Sequence, residues 1–373
     1  MTNNRILFLY FPYVHGASLY SQFVWKDLLK CDFGTPLTKD NSQLLNYTNK
    51  NRQAYFEEHP TYLSSNVLTK DLSCPDLEFS DKVSLFSIDN PENQLEIKSI
   101  HDYDTIIIAS FWAFYTYIHF VIDNFPKKKV FLIQDDSLQY IEMAHTELEW
   151  HICEAIRKAD GYISYTQQMK NWVTLFQANV IHINHPVPKG MERIKQFKNT
   201  NNKICLGVGT WNYDLFHMMS SYQIFKKFAD NKEYTSEILG VHGFKEEEYS
   251  LYKKNDNRVN IVSWAKGDDF YKRIGEYYCI LNLNERAVAG RICLEAAIMG
   301  IPVIGYKTID MQEHCWPKLC VEPYDTVKAI SILEQLFNDK LYYKKVVDFA
   351  FERYSLLNAS TNKIANKISE FIS

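Results

Sequence analysis

The sequence lacks the features of several large protein classes. Its eight cysteines form no CxxC pair and no metal-ligand spacing, which argues against a zinc module or a redox dithiol. No apolar run approaches the ~20 residues that a membrane-spanning helix needs. No basic n-region, apolar h-region or cleavage site precedes the first strand-like run, Arg5–Phe11. Internal repeats, heptad arrays and long low-complexity tracts are missing too. A formal net charge of −4 leaves no global field to draw the chain to polyanions. These absences lead us to expect a soluble protein of a reducing compartment, without stable membrane insertion. That means the cytoplasm, or a host's cytoplasm if the chain is viral.

What is present is enough apolar material for two domains. The chain has 373 residues, 46% of them hydrophobic and 15% aromatic. Strand-like and helix-like runs alternate. RILFLYFPY reads as a buried strand, and a helix-like stretch ends near Leu29. Residues 34–100 are polar and irregular and read as loops and insertions. Then come strand DTIIIASFW, helix Tyr115–Asn124 and strand KKKVFLIQDD. His145–Ala159 is amphipathic, with Leu148, Ile152, Ala155, Ile156 and Ala159 at helical spacing. Strands ADGYISYT and NVIHINHPV close a first domain over residues 1–187.

The polar segment Pro188–Lys203 reads as a linker. A second domain, residues 203–355, runs through strand KICLGVGTW, helix Leu215–Ala229 and strands SEILGVHG and VNIVSW. Helix DDFYKRIGEY and strand CILNLN follow. The end reads as helices at Thr326–Asn338, Leu341–Ser355 and Ser360–Phe371, with 356–373 a closing segment. Alternation of this kind means parallel sheets with helices on both faces. Ligands then bind at the carboxyl ends of the strands.

The richest stretch is Cys279–Tyr306, CILNLNERAVAGRICLEAAIMGIPVIGY. It reads as strand, polar loop, short helix, Gly300 and a second strand. Gly290 has no Cβ, so a ligand can approach the backbone there. The N–H groups that open the helix have no intrahelical acceptor and suit a phosphate. Glu295, one turn on, can accept from two neighbouring hydroxyls of a sugar or ribose. A competing reading makes Glu295 a surface carboxylate paired with Arg291 at i, i+4.

This stretch resembles the donor-binding segment of GT-B glycosyltransferases, in particular the large retaining family with the pattern E-G-F-G-x-x-x-L-E-A-x-x-x-G-x-P-V-I. Gly290, Leu294, Glu295, Ala296, Gly300, Pro302, Val303 and Ile304 match in register. The likeness covers the second domain well and the first in layout only. It implies a GT-B fold: two doubly wound, Rossmann-like domains sharing a cleft. It also places the closing helix back on the first domain. It implies a nucleotide-diphospho-sugar donor, with Glu295 on the ribose and the diphosphate at Ala289 and Gly290. The pattern's first glutamate falls on Ala287, a departure; Glu285, two residues earlier, is the candidate replacement unless the sugar is held differently.

The remaining candidates border the same donor or its acceptor. His15 and Gly16 follow the first strand, where GT-B enzymes place the reaction centre; an ordinary turn is the competing reading. Asp135 ends a strand beside Gln134, where it can orient or deprotonate an acceptor hydroxyl; capping the next helix competes. Related enzymes often carry a polar His-Asp pair there, including phage DNA α-glucosyltransferases, a fainter likeness. Gly209 and Thr210 lie in GVGTWN, which fails as a dinucleotide fingerprint at Asn212. In the GT-B reading this loop borders the diphosphate. No Arg or Lys follows it before Lys226, so Arg286 and Arg291, with Lys266 behind them, are the candidates for neutralising it. Trp264 ends the run VNIVSW, beside which the nucleotide base sits in GT-B donors; a core tryptophan competes.

Asp102-Tyr103-Asp104 mimics a metal-binding D-x-D, yet it precedes a strand and reads as a turn. Lys127–Lys129, like Arg193, Lys195 and Lys198, reads as solvated charge. A metal-independent, retaining glycosyltransferase is the expectation, with no cofactor beyond its donor. The acceptor is open: a carbohydrate, a lipid-linked intermediate or a modified base of phage DNA. Other readings are a non-catalytic sugar-nucleotide or glycan-binding protein and, more weakly, an NAD-dependent enzyme.

Overall fold

The isoleucine run at residues 106–108 sets the centre of the first sheet. A strand buried on both faces carries such a run instead of alternating polar positions. A computed structural model of the chain describes residues 5–9, 24–39, 78–87, 90–109, 115–134, 146–199, 201–209, 218–230, 232–240, 246–262, 268–284 and 288–373. It divides into two units, one of residues 1–188 with 360–373 and one of residues 189–359.

The first unit holds an eight-stranded sheet in the order β4-β3-β2-β1-β5-β6-β7-β8. These strands are β1 Ile6–Leu9, β2 Asp32–Thr38, β3 Phe79–Ser87, β4 Asn90–Ser99, β5 Thr105–Ala109, β6 Lys129–Gln134, β7 Gly161–Ser164 and β8 Val180–His182. From β2 across to β8 the neighbours are parallel. Helices α1 Tyr115–Asn124, α2 Thr146–Lys158 and α3 Gln167–Val173 belong to this unit. Tyr117, Ile118 and Val121 of α1 and Ile152, Ala155 and Ile156 of α2 bury against Ile106, Ile108 and Leu132.

Residues 34–100 differ from their sequence reading. β3 pairs antiparallel with β2 and with β4, adding a hairpin to the parallel sheet. Serine and lysine between the apolar residues of β3 hid the strand, yet Val83 and Leu85 alternate onto the core. Helix α3 was also missed; Thr166 caps it by accepting from the N–H of Met169 at 3.2 Å.

The second unit holds an all-parallel six-stranded sheet, β11-β10-β9-β12-β13-β14. The strands are β9 Lys203–Gly209, β10 Thr235–Gly240, β11 Val259–Val262, β12 Tyr277–Asn282, β13 Val303–Tyr306 and β14 Cys320–Val321. In chain order this is the Rossmann arrangement, and the order reverses between β9 and β12. Its helices are α4 Met218–Phe228, α5 Glu246–Asn255, α6 Asp268–Gly275, α7 Arg291–Met299, α8 Asp310–Cys315 and α9 Thr326–Asn338.

One continuous helix, α10 Lys340–Ile372, replaces the two helices read at the chain's end. No glycine or proline interrupts residues 356–359, so nothing local stops it. Its last turns belong to the first unit: Phe371 meets Phe131 with ring centroids 5.4 Å apart, and Lys367 Nζ donates to His182 O at 2.7 Å. Segment 188–203, read as a linker, forms a 3-10 helix over Met191–Phe197 inside the second unit, with Met191 and Ile194 buried.

Candidate functional site

The crossover from β12 to α7 starts beside the reversal of strand order. Its last loop residues are held by the next crossover. Val288 O accepts from the N–H of Asp310 at 3.2 Å and Ala289 O from that of Met311 at 3.0 Å. Gly290 then opens α7 in the left-handed region, at φ 82° and ψ 53°. A Cβ there would stand 2.2 Å from Ile309 Cγ2. Glycine is therefore required by the backbone and by the packing of Ile309. The sequence reading assigned the missing side chain to ligand approach; the structure shows a neighbour filling that direction. Gly290 O accepts from the N–H of Cys293 at 3.0 Å and closes the first turn.

Glu295 lies one turn along α7 and is completely buried. Its Oε1 accepts from the hydroxyl of Tyr271, on α6, at 3.0 Å. Arg291 Nε stands 3.3 Å from the same oxygen. The i, i+4 pair anticipated as an alternative does form, but around an enclosed carboxylate. A buried carboxylate needs partners of this kind, and the two contacts hold the Glu295 side chain in place inside the unit.

Polar contacts anchor the helix below. Asn282 Nδ2 lies 3.5 Å from Cys293 Sγ, which donates to Gln312 Oε1 at 3.3 Å. Gln312 Nε2 donates to Val303 O at 2.8 Å, and Trp316 Nε1 to Cys293 O at 2.9 Å. Burial pushes the Cys293 thiol well above its usual range, so it is a structural donor and no nucleophile. At the far end Lys198 Nζ donates to Gly300 O at 2.7 Å, capping α7. The backbone carbonyl of Phe197 comes so near Gly275, which ends α6, that a Cβ there would lie 2.0 Å from it. The supposed linker thus braces the two helices that carry Tyr271 and Glu295.

Of the residues singled out in the sequence, Ala289, Gly290, Arg291 and Glu295 come together at the start of α7. Gly209 ends β9 and pairs with Gly240. His15, Gly16, Asp135, Thr210, Trp264, Lys266, Glu285 and Arg286 lie outside the described residues. Tyr271 was missed; α6 reads as an amphipathic helix, and only the fold brings that tyrosine to Glu295.

Asp102 and Asp104 serve the backbone, as the turn reading expected. Asp102 Oδ2 accepts from the N–H of Ser99 at 3.2 Å, and Asp104 Oδ2 from that of Arg5 at 3.0 Å. The basic runs are less idle than expected. Lys128 donates to His101 O at 2.9 Å, Lys129 reaches Ser373 O, and Arg193 pairs with Asp268 at 2.7 Å. Among the described residues no group of three His, Cys, Asp or Glu side chains is arranged to hold a metal ion. None of the described helices is long and apolar enough to cross a membrane.

No family model and no curated protein matches this sequence. Solved structures do. TarM aligns over 100% of this chain and 99% of its own, at 11% identity and a TM-score of 0.64. Sucrose-phosphate synthase of Thermosynechococcus elongatus aligns over 98% of both chains, at 12% identity and a TM-score of 0.64. Anabaena HepE, solved in complex with UDP, aligns over 98% of this chain and 100% of its own, at 14% identity and a TM-score of 0.60. These are GT-B glycosyltransferases.

The chain has the GT-B fold. At such identities the likeness establishes architecture alone. Within the GT-B fold, the β12–α7 crossover belongs to the second of the two parallel-sheet units.

Proposed function

We propose that this chain is a glycosyltransferase that moves a sugar from a nucleotide-diphospho-sugar to a hydroxyl acceptor. The reading rests on one observation: a left-handed glycine opens α7 at the strand-order reversal, and an enclosed glutamate follows one turn later. The diphosphate rests on the first-turn N–H groups of α7, at the positive end of the helix dipole. Glu295 accepts from the ribose hydroxyls. A carboxylate has about four acceptor positions, so Tyr271 and Arg291 do not exhaust it. The structures of HepE with UDP and of an E. coli trehalose-6-phosphate protein with UDP-2-fluoro glucose favour this donor class.

The reaction breaks the bond between the anomeric carbon and the diphosphate oxygen and joins that carbon to the acceptor oxygen, which gives up its proton. Negative charge grows on the leaving diphosphate, where the α7 N–H groups face it without reorganising. His15 and Asp135 remain the proposed acceptor-side residues and Glu285 the proposed contact to the donor sugar. We assign the transfer to the retaining, metal-independent class because the matched motif belongs to that class. A cytoplasmic setting is part of the same proposal; the seven cysteines among the described residues are free thiols, as a reducing compartment requires.

A thermal-shift screen with UDP, GDP, ADP and CDP, followed by donor hydrolysis without acceptor, tests the reading. Stabilisation by one diphosphate and slow cleavage of its sugar conjugate are expected. An intact donor would mark a binding protein, and no stabilisation by any of the four would overturn the donor site. Salt-dependent retention of DNA would select a DNA-base acceptor; none at low salt removes it.

A further inference from the structure

We propose that Tyr271 is a positioning residue that fixes the carboxylate of Glu295 for a vicinal ribose diol, and so sets preference for ribonucleotides over 2′-deoxyribonucleotides. This rests on the donor-site reading above and deepens it. The carboxylate is steered from two directions toward one oxygen. Arg291 Nε lies 3.3 Å from Oε1 along the same helix, and the Tyr271 hydroxyl donates to Oε1 at 3.0 Å from α6. A single contact within one helix lets a carboxylate turn about its last bond. A second donor fixed in a different element removes that freedom, because turning breaks a hydrogen bond in an enclosed site.

Tyr271 is itself well placed to act as a fixed point. Its ring meets Phe270 with centroids 5.5 Å apart, while Phe270 and Ile274 anchor α6 in the core. The Phe197 carbonyl against Gly275 holds the end of that helix. Two vicinal hydroxyls match a carboxylate in only a narrow range of its rotation; one hydroxyl accepts a wider range. Loss of the tyrosine hydroxyl therefore weakens a ribose more than a 2′-deoxyribose. The same contact commits Arg291 in part to Glu295, so Arg291 is a weaker candidate for neutralising the diphosphate than its sequence position suggested.

The test is calorimetric titration of UDP and 2′-deoxy-UDP into the wild-type chain, Tyr271→Phe, Glu295→Ala and the double variant. Tyr271→Phe keeps the ring, and its unfolding midpoint without nucleotide is measured alongside. We expect it to weaken UDP roughly fivefold, the factor for one hydrogen bond, and 2′-deoxy-UDP less. In the Glu295→Ala background the same change should have no further effect. Donor KM should rise with kcat little altered. Equal weakening of both nucleotides by Tyr271→Phe, or an undiminished effect in the Glu295→Ala background, overturns the positioning role while the donor site stands. Unchanged UDP affinity in Glu295→Ala, or no UDP binding by the wild type, overturns the donor site and this inference with it.

Discussion

Replacing Gly290 with alanine probes the site at its hinge. A non-glycine residue at φ 82° and ψ 53° costs about 1–2 kcal/mol from contact of Cβ with its own backbone. The added Cβ would also stand 2.2 Å from Ile309 Cγ2, and Ile309 is completely buried. Overpacking of this kind costs about 1–3 kcal/mol. Together they give a loss of about 2–5 kcal/mol, a large part of the ~5–15 kcal/mol that holds a domain folded. Urea unfolding at fixed pH, read from the midpoint at constant slope, measures it.

Ile309→Ala separates the two contributions. Alone it should cost about 2–5 kcal/mol for the cavity. In the double variant the new Cβ enters the space the isoleucine left, so the double variant should fall short of the sum of the single losses by about 1–3 kcal/mol. A Gly290→Ala loss below about 1 kcal/mol, or strict additivity with Ile309→Ala, would refute the packing argument for this glycine.

Three further outcomes follow from the same geometry. Glu295→Ala should weaken nucleotide binding by about 1–3 kcal/mol, the range for a lost charge-assisted hydrogen bond, with titration calorimetry as the check. Lys203→Met should destabilise the fold by about 3–5 kcal/mol: Lys203 Nζ pairs with Glu237 at 2.8 Å and Glu276 at 2.9 Å, and the buried Glu237 would keep only Tyr277 and a longer contact to Arg273. His314 is held below its ordinary pKa of 6.5 by burial and by the neighbouring Arg353. Protonating it therefore costs more in the folded chain than in the unfolded one. Its contribution is complete above about pH 6.5 and declines as pH falls through the lower folded-state value. Urea midpoints between about pH 5 and pH 8 should show that decline, and His314→Gln should flatten it.

The sequence made the second unit plain because its parallel strands are short apolar runs, as in Val303–Tyr306, which Gly300 and Pro302 set off from the helix before it. The reading of Thr326–Asn338 as a helix agrees with the structure because Asp325 caps it and its apolar residues recur at helical spacing. The β3–β4 hairpin was not legible: Lys82, Ser84 and Glu96 break up the apolar residues, and pairing with β2 supplies what local preference does not. The site was legible where it is local. Gly290, Arg291 and Glu295 lie within six consecutive positions, and helical geometry relates them directly. Tyr271 was not, since its approach to Glu295 depends on how α6 and α7 pack. The reason for Gly290 was half legible: the turn demanded glycine, while Ile309, nineteen positions on, came into view only in the fold.

The most direct test is a crystal structure of the chain with UDP bound. The account predicts the diphosphate on the N–H groups of Arg291 and Ile292 and the ribose hydroxyls within hydrogen-bond distance of Glu295. UDP bound away from the start of α7, with Glu295 still enclosed by Tyr271 and Arg291 and touching no nucleotide atom, would contradict it.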